Sequence, residues 1–185
     1  DNNSKVVSLG KNEVEISANG GMGNLYIWRG MNQGNGGMSN IFGGIDTVFN
    51  EKFSFGTWAS NVSFSENTSY EWDLYTSFTD SSFIPGIDYE IGYIYYAYPD
   101  SEDPDSSNFS EGYVGLTNDT FSIRYYLLMS GPDNAKVGND GYFNISLTTP
   151  LIQGFNLVSS IGHYSGKTIV TEDQVDYLVG LNKKN

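Results

Sequence analysis

The 185-residue chain contains no cysteine, which removes a disulfide framework, a thiol nucleophile and any thiolate-ligated metal while leaving the redox compartment open. Cations are scarce too. Nine Lys and Arg stand against 22 Asp and Glu, a formal net charge of −13, which speaks against a nucleic-acid partner because phosphate contacts need clustered positive charge. The single histidine, His163, would have to serve any Ser-His-Asp arrangement, and no G-x-S-x-G or comparable nucleophile context accompanies it. It reads as a rim or interfacial histidine. No run of about 18 apolar residues is present, so no helix is expected to cross a membrane. A spanning barrel stays open, since its strands need only about 9 to 11 alternating residues each.

What is abundant is glycine, at 22 residues, and aromatics, at 15%, a mixture suited to many strands and tight turns rather than to helices that glycine weakens. Nothing suggests a second core. The expected layout is a polar flexible lead over 1–12, one β domain over 13–182 and a tail over 183–185. The chain opens DNNSKVVSLGKNE without an apolar h-region, so an exported chain is expected to have lost its signal peptide already, with Asp1 the mature N-terminus. Sequons at Asn61, Asn67 and Asn144 carry little weight in a sequence this rich in Asn and Ser.

The densest stretch is 56–99, with GTWASNVSF, SYEWDLYTSF and IDYEIGYIYYAYP. Reading the period-2 alternation outward from it predicts an all-β antiparallel fold of about ten strands (8–12), over 13–29, 40–49, 53–62, 70–78, 87–97, 109–117, 120–128, 141–148, 154–164 and 175–182. The third is ambiguous in facing, because Phe53 and Phe55 lie on one side and Trp58 and Val62 on the other. The last competes with a helix, since Thr171 to Gln174 resembles a capping box; Gly180 and the Tyr177, Val179, Leu181 alternation favour strand. Connections alternate, short near Asn50, Ser81 to Gly86, Asn118 and Pro150, and mostly longer near Gly30, Val62, Tyr98, Met129 and Ser165. Transmembrane barrels have that habit.

Charges follow a second rule. Glu15, Arg29, Asp46, Glu71, Asp73, Asp88, Glu90, Glu111, Arg124 and Asp176 all fall opposite the main apolar row of their strand and are expected to face a lumen. No Lys falls inside an expected strand, and Tyr70, Trp72, Phe78, Tyr89, Tyr95 and Trp28 lie near strand ends, where an interfacial girdle would sit. The pairs Glu71 with Asp73 and Asp88 with Glu90 could form a glycosidase-like couple. A polar lumen explains them without a reaction, and no catalytic residue is assigned. Two arginines cannot neutralise eight interior acids, so some acids must be hydrated, protonated or cation-associated. The loop carboxylates Asp100, Glu102, Asp103 and Asp105 offer a weak cation site. Gly34 to Gly37 is a loop, not a dinucleotide fingerprint, and no cofactor is expected.

The strings GTWASNVSF, EWDLYTSF and IDYEIGYIYYAYP, preceded by IWRGMNQGNGG, resemble proteobacterial exported proteins known as TorF-type porins, also called the Gcw conserved hypothetical family. The likeness is strongest over 25–99. It implies an outer-membrane β-barrel with both termini periplasmic and long loops outside, and carries over no catalytic residues. The chain departs from such barrels by ending Leu181-Asn182-Lys183-Lys184-Asn185 rather than on an aromatic. Interior Tyr75, Tyr96, Tyr113 and Tyr126 predict a narrow or plugged lumen. The expectation is a bacterial outer-membrane protein in contact with lipid, passing small solutes with a preference for cations if it conducts. Two alternatives are a non-conducting structural or surface-interaction barrel and a soluble β-barrel ligand binder.

Overall fold

The computed structural model describes residues 3–9, 11–63, 67–170 and 172–183. Among them are thirteen strands: β1 (Asn3–Leu9), β2 (Asn12–Gly23), β3 (Ile27–Trp28), β4 (Met31–Asn32), β5 (Asn40–Phe49), β6 (Phe53–Asn61), β7 (Tyr70–Ile84), β8 (Ile87–Ala97), β9 (Phe109–Thr117), β10 (Phe121–Ser130), β11 (Gly141–Pro150), β12 (Phe155–Ser165) and β13 (Gln174–Lys183). Among the described residues helix is confined to four three-residue 3-10 turns. Eleven strands form one antiparallel sheet in chain order, interrupted only by the β3–β4 hairpin, which is a separate two-stranded unit. The all-β antiparallel expectation holds, and 175–182 is strand, not helix.

Three expectations need correction. β1 covers part of the stretch read as a flexible lead, pairing from Asn3 opposite Ala18 down to Leu9 opposite Asn12. The first expected strand stops at Gly23; the alternation that runs on through Tyr26 and Trp28 belongs to a separate, inward segment, which Arg29 and Gly30, with φ of 49° and 82°, turn back on itself as the β3–β4 hairpin. Lys5 and Lys183 lie within strands, both exposed.

The alternation of connections is as expected. One rim carries tight turns, such as Asn50-Glu51 with φ of 51° and 58° and Pro85-Gly86 with Gly86 at 77°. The other carries 24–39, 62–63 with 67–69, 98–108, 131–140 and 166–170 with 172–173.

Side chains sort by parity. On β5 to β9 the exposed rows include Ile41, Ile45, Phe53, Phe55, Trp72, Leu74, Ile91 and Val114, while Asp46, Trp58, Glu71, Asp73, Glu90 and Glu111 occupy the other face. Phe53 and Phe55 are therefore outward and Trp58 inward, which settles the ambiguous strand. The inner face is concave. Side chains of β6 through β13 all reach residues 26–31 (through Trp58, Glu71, Tyr96, Glu111, Tyr126, Tyr142, Tyr164 and Asp176). Laid flat, those eight strands would span about 34 Å at ~4.8 Å each, so the sheet must curl around the hairpin. No hydrogen-bonded pairing joins β13 to β1 or β2 among the described residues.

Candidate functional site

The interior is organised by a two-residue turn. Ile27 pairs with Asn32 and Trp28 with Met31, leaving Arg29 and Gly30 as the central pair, both left-handed. Glycine accepts that conformation freely. Arginine does not, and is held in it by what its side chain reaches. Gly30 has a second reason for its identity: a Cβ there would sit 2.9 Å from the Asp176 Cβ on β13.

Arg29 Nη1 donates to Glu111 Oε1 at 2.7 Å and Nη2 to Oε2 at 2.5 Å, with side-chain exposures of 6% and 1%. The guanidinium carbon lies 4.4, 4.6, 4.3 and 5.2 Å from the ring centroids of Trp28, Tyr126, Tyr142 and Tyr164. Burial works to lower the guanidinium's pKa, but Glu111 overrides it and holds the group above its ordinary range. A paired, ring-caged cation is thus fixed between the hairpin and β9.

The other acids are met chiefly by tyrosine hydroxyls. Tyr26 and Tyr98 each donate to Glu71 at 2.7 Å. Tyr75 donates to Asp46 at 2.6 Å, joined by Asn19 Nδ2 at 3.2 Å. Tyr113 donates to Glu90 at 2.8 Å, with Arg124 Nη2 at 3.0 Å, and Tyr142 donates to Asp176 at 3.0 Å. Burial first, and then the charge of Glu71, raises the pKa of Tyr26 and of Tyr98, so both remain O–H donors. Room for this lattice comes from small residues opposite: a Cβ on Gly56 would lie 2.2 Å from the Tyr75 ring.

Of the ten expected interior charges, Arg29, Asp46, Glu71, Glu90, Glu111, Arg124 and Asp176 are drawn into these contacts. Asp73 is 8% exposed and its Oδ1 has no hydrogen-bond partner among the described residues. Glu15 is exposed and Asp88 half-buried. Trp28 is not a girdle residue; it packs edge-on against Tyr96, Phe109 and Tyr164 inside the sheet. His163 is exposed on the outer face of β12. The loop acids do not gather: Asp100 accepts from Ser69 N at 2.9 Å, Glu102 from Asn67 and Asp103 from Ser106 at 2.7 Å. No group of three or more His, Asp or Glu is placed to hold a metal among the described residues.

Two contacts escaped the sequence. Asp140, 1% exposed, accepts backbone N–H groups of Lys167, Thr168, Ile169 and Val170 at 3.0, 2.9, 2.7 and 3.4 Å. Lys52 pairs with Asp80 at 2.5 Å beside the short turns. Asp140 had one local signal, its place just before a strand opening on Gly141.

The sequence profile of a bacterial protein family of unknown function, Gcw_chp, matches residues 9–185. The chain belongs to the Gcw_chp family. No curated protein and no solved structure matches it, so the porin label attached to the sequence resemblance gains no support from a named relative. In this Gcw_chp chain the IWRG string of that resemblance is the inward hairpin, and EWDLYTSF is the strand that carries Glu71, Asp73 and Tyr75.

Proposed function

We propose that this chain is a bacterial outer-membrane β-barrel protein whose lumen is stoppered from the long-loop side by its own β3–β4 hairpin. One observation carries the reading: the apolar rows are exposed and the charges enclosed, the inverse of a water-soluble sheet. Val179 is 78% exposed, Ile41 69% and Phe55 57%, while Glu111 and Arg29 are sealed inside. Apolar surface of that extent is a liability in water and the requirement in lipid. β2 and β13 run in opposite senses, so once β1 leaves the β2 edge they can close the wall as an ordinary antiparallel pair. The partner of the outer face is then outer-membrane lipid.

With the hairpin seated, the protein is a closed, non-conducting barrel. A cation-preferring channel is the second reading, favoured by seven buried or half-buried acids, Asp46, Glu71, Asp73, Asp88, Glu90, Glu111 and Asp176, set against two arginines. Detergent dependence and heat-modifiable gel migration test the barrel; recovery of a soluble monomer without detergent would overturn it. Planar-bilayer recording separates the two readings, since the stoppered barrel shows no steady current.

A further inference from the structure

The interior contains a second aromatic box besides the one around Arg29. A cavity of about 400 Å³ is lined by Tyr26, Trp28, Trp58, Asp73, Tyr75, Ile94 and Tyr96, a volume within the usual range for small-molecule sites, and Trp28 is the wall it shares with the box around Arg29. Register builds it. Trp58, Asp73 and Tyr96 are direct cross-strand neighbours on β6, β7 and β8, and Tyr75 lies opposite Ile94 one pleat further on. Tyr26 comes in from the hairpin segment and packs edge-on to Trp58 at 5.4 Å.

The two boxes share their chemistry. Around Arg29, four rings and one carboxylate enclose a planar cation. In the second box five rings line the cavity together with a carboxylate whose Oδ1 meets no donor among the described residues. Neighbouring donors do not supply one: the Tyr26, Tyr75 and Tyr96 hydroxyls go to Glu71, Asp46 and Glu111, and Arg29 is engaged by Glu111. Ring faces are electron-rich and bind cations that water holds weakly, which favours alkylated ammonium over a small hydrated metal ion.

We propose that this cavity binds a small organic ammonium cation, with Asp73 as counter-ion and Trp58, Tyr26, Tyr75 and Tyr96 as the aromatic walls. The box stands whether or not lipid surrounds the outer face. The probe is choline chloride, titrated calorimetrically and by tryptophan fluorescence into the folded full-length chain in detergent micelles. Its uncharged carbon isostere, 3,3-dimethylbutan-1-ol, is run in parallel. Saturable choline binding at least ~10-fold tighter than the isostere is expected. Asp73→Asn and Trp58→Leu should each weaken choline by ~10-fold or more while retaining heat-modifiable migration. Equal binding of choline and isostere, or no choline binding by the wild-type chain, overturns the proposal without recourse to any variant. So does an Asp73→Asn chain that folds and keeps its choline affinity.

Discussion

Glu111 on β9 accepts both terminal nitrogens of Arg29, 82 positions earlier in the chain, and the pair is sealed from solvent. It ties the inward hairpin to the wall. Breaking a buried pair from one side strands the other charge, at a cost of about 3–5 kcal/mol. Arg29→Met and Glu111→Leu should therefore each lower the urea midpoint of the micelle-folded protein, and the double variant Arg29→Met with Glu111→Leu should recover much of that loss. Additive losses in the double-mutant cycle would show that the pair is not coupled.

The outer face gives a test that a water-soluble protein would fail. Ile91 lies mid-strand on β8 and is 56% exposed. In lipid, Ile91→Arg should cost about 2–4 kcal/mol; in water, an exposed site of this kind stays within about 0.5 kcal/mol. Unfolding of wild type and variant in phospholipid vesicles distinguishes the two, and an unchanged midpoint would count against a lipid-facing wall.

Removing the stopper should open the lumen. Replacing residues 24–39 with a short Gly-Ser bridge deletes Trp28 and Arg29 and leaves Glu71, Asp73 and Glu111 exposed to the bore. Planar bilayers should record steady, cation-selective current from the bridged chain and none from the wild type. Equal silence in both, with the bridged chain still heat-modifiable, would leave the hairpin without a blocking role.

Asp140 should control a loop from a distance. Four successive amides point at its carboxylate, so Asp140→Ala removes their shared acceptor. Hydrogen exchange at 167–170 should accelerate by ~10-fold or more, consistent with loss of about 1.4 kcal/mol or more of local protection. Exchange across β11 and β12 should hold. Uniform acceleration over both strands would show that Asp140 supports the whole wall instead.

Much of the wall could be read because a strand writes its two faces at a period of two. The charges at Asp46, Glu71, Asp73, Glu90, Glu111 and Arg124 declared the inner face, and turn chemistry at Asn50-Glu51 and Asn118-Asp119 declared the short rim. The hairpin was hidden for a physical reason: Met22, Tyr26 and Trp28 keep strand parity across the bend that follows the end of β2 at Gly23, so the side-chain pattern runs on where the strand does not. β1 was missed because Asn3–Leu9 alternates weakly and is fixed by pairing with β2. The tyrosine–carboxylate lattice was half visible. Sequence placed its donors and acceptors on one face but could not say which tyrosine meets which acid, since Tyr26 reaches Glu71 over 45 positions.

The outward rows also invert the usual map of tolerance to change. In most globular proteins the hydrophobic residues interlock and resist exchange while polar ones drift. Here Ile45, Leu74, Val114 and Leu147 project from the wall with about half their surface free, so one aliphatic side chain can replace another there without refitting a neighbour. The interchangeable alphabet of this chain is its oily one. Its fixed vocabulary is polar: a tyrosine hydroxyl aimed at one carboxylate has a length and a direction that no other side chain reproduces.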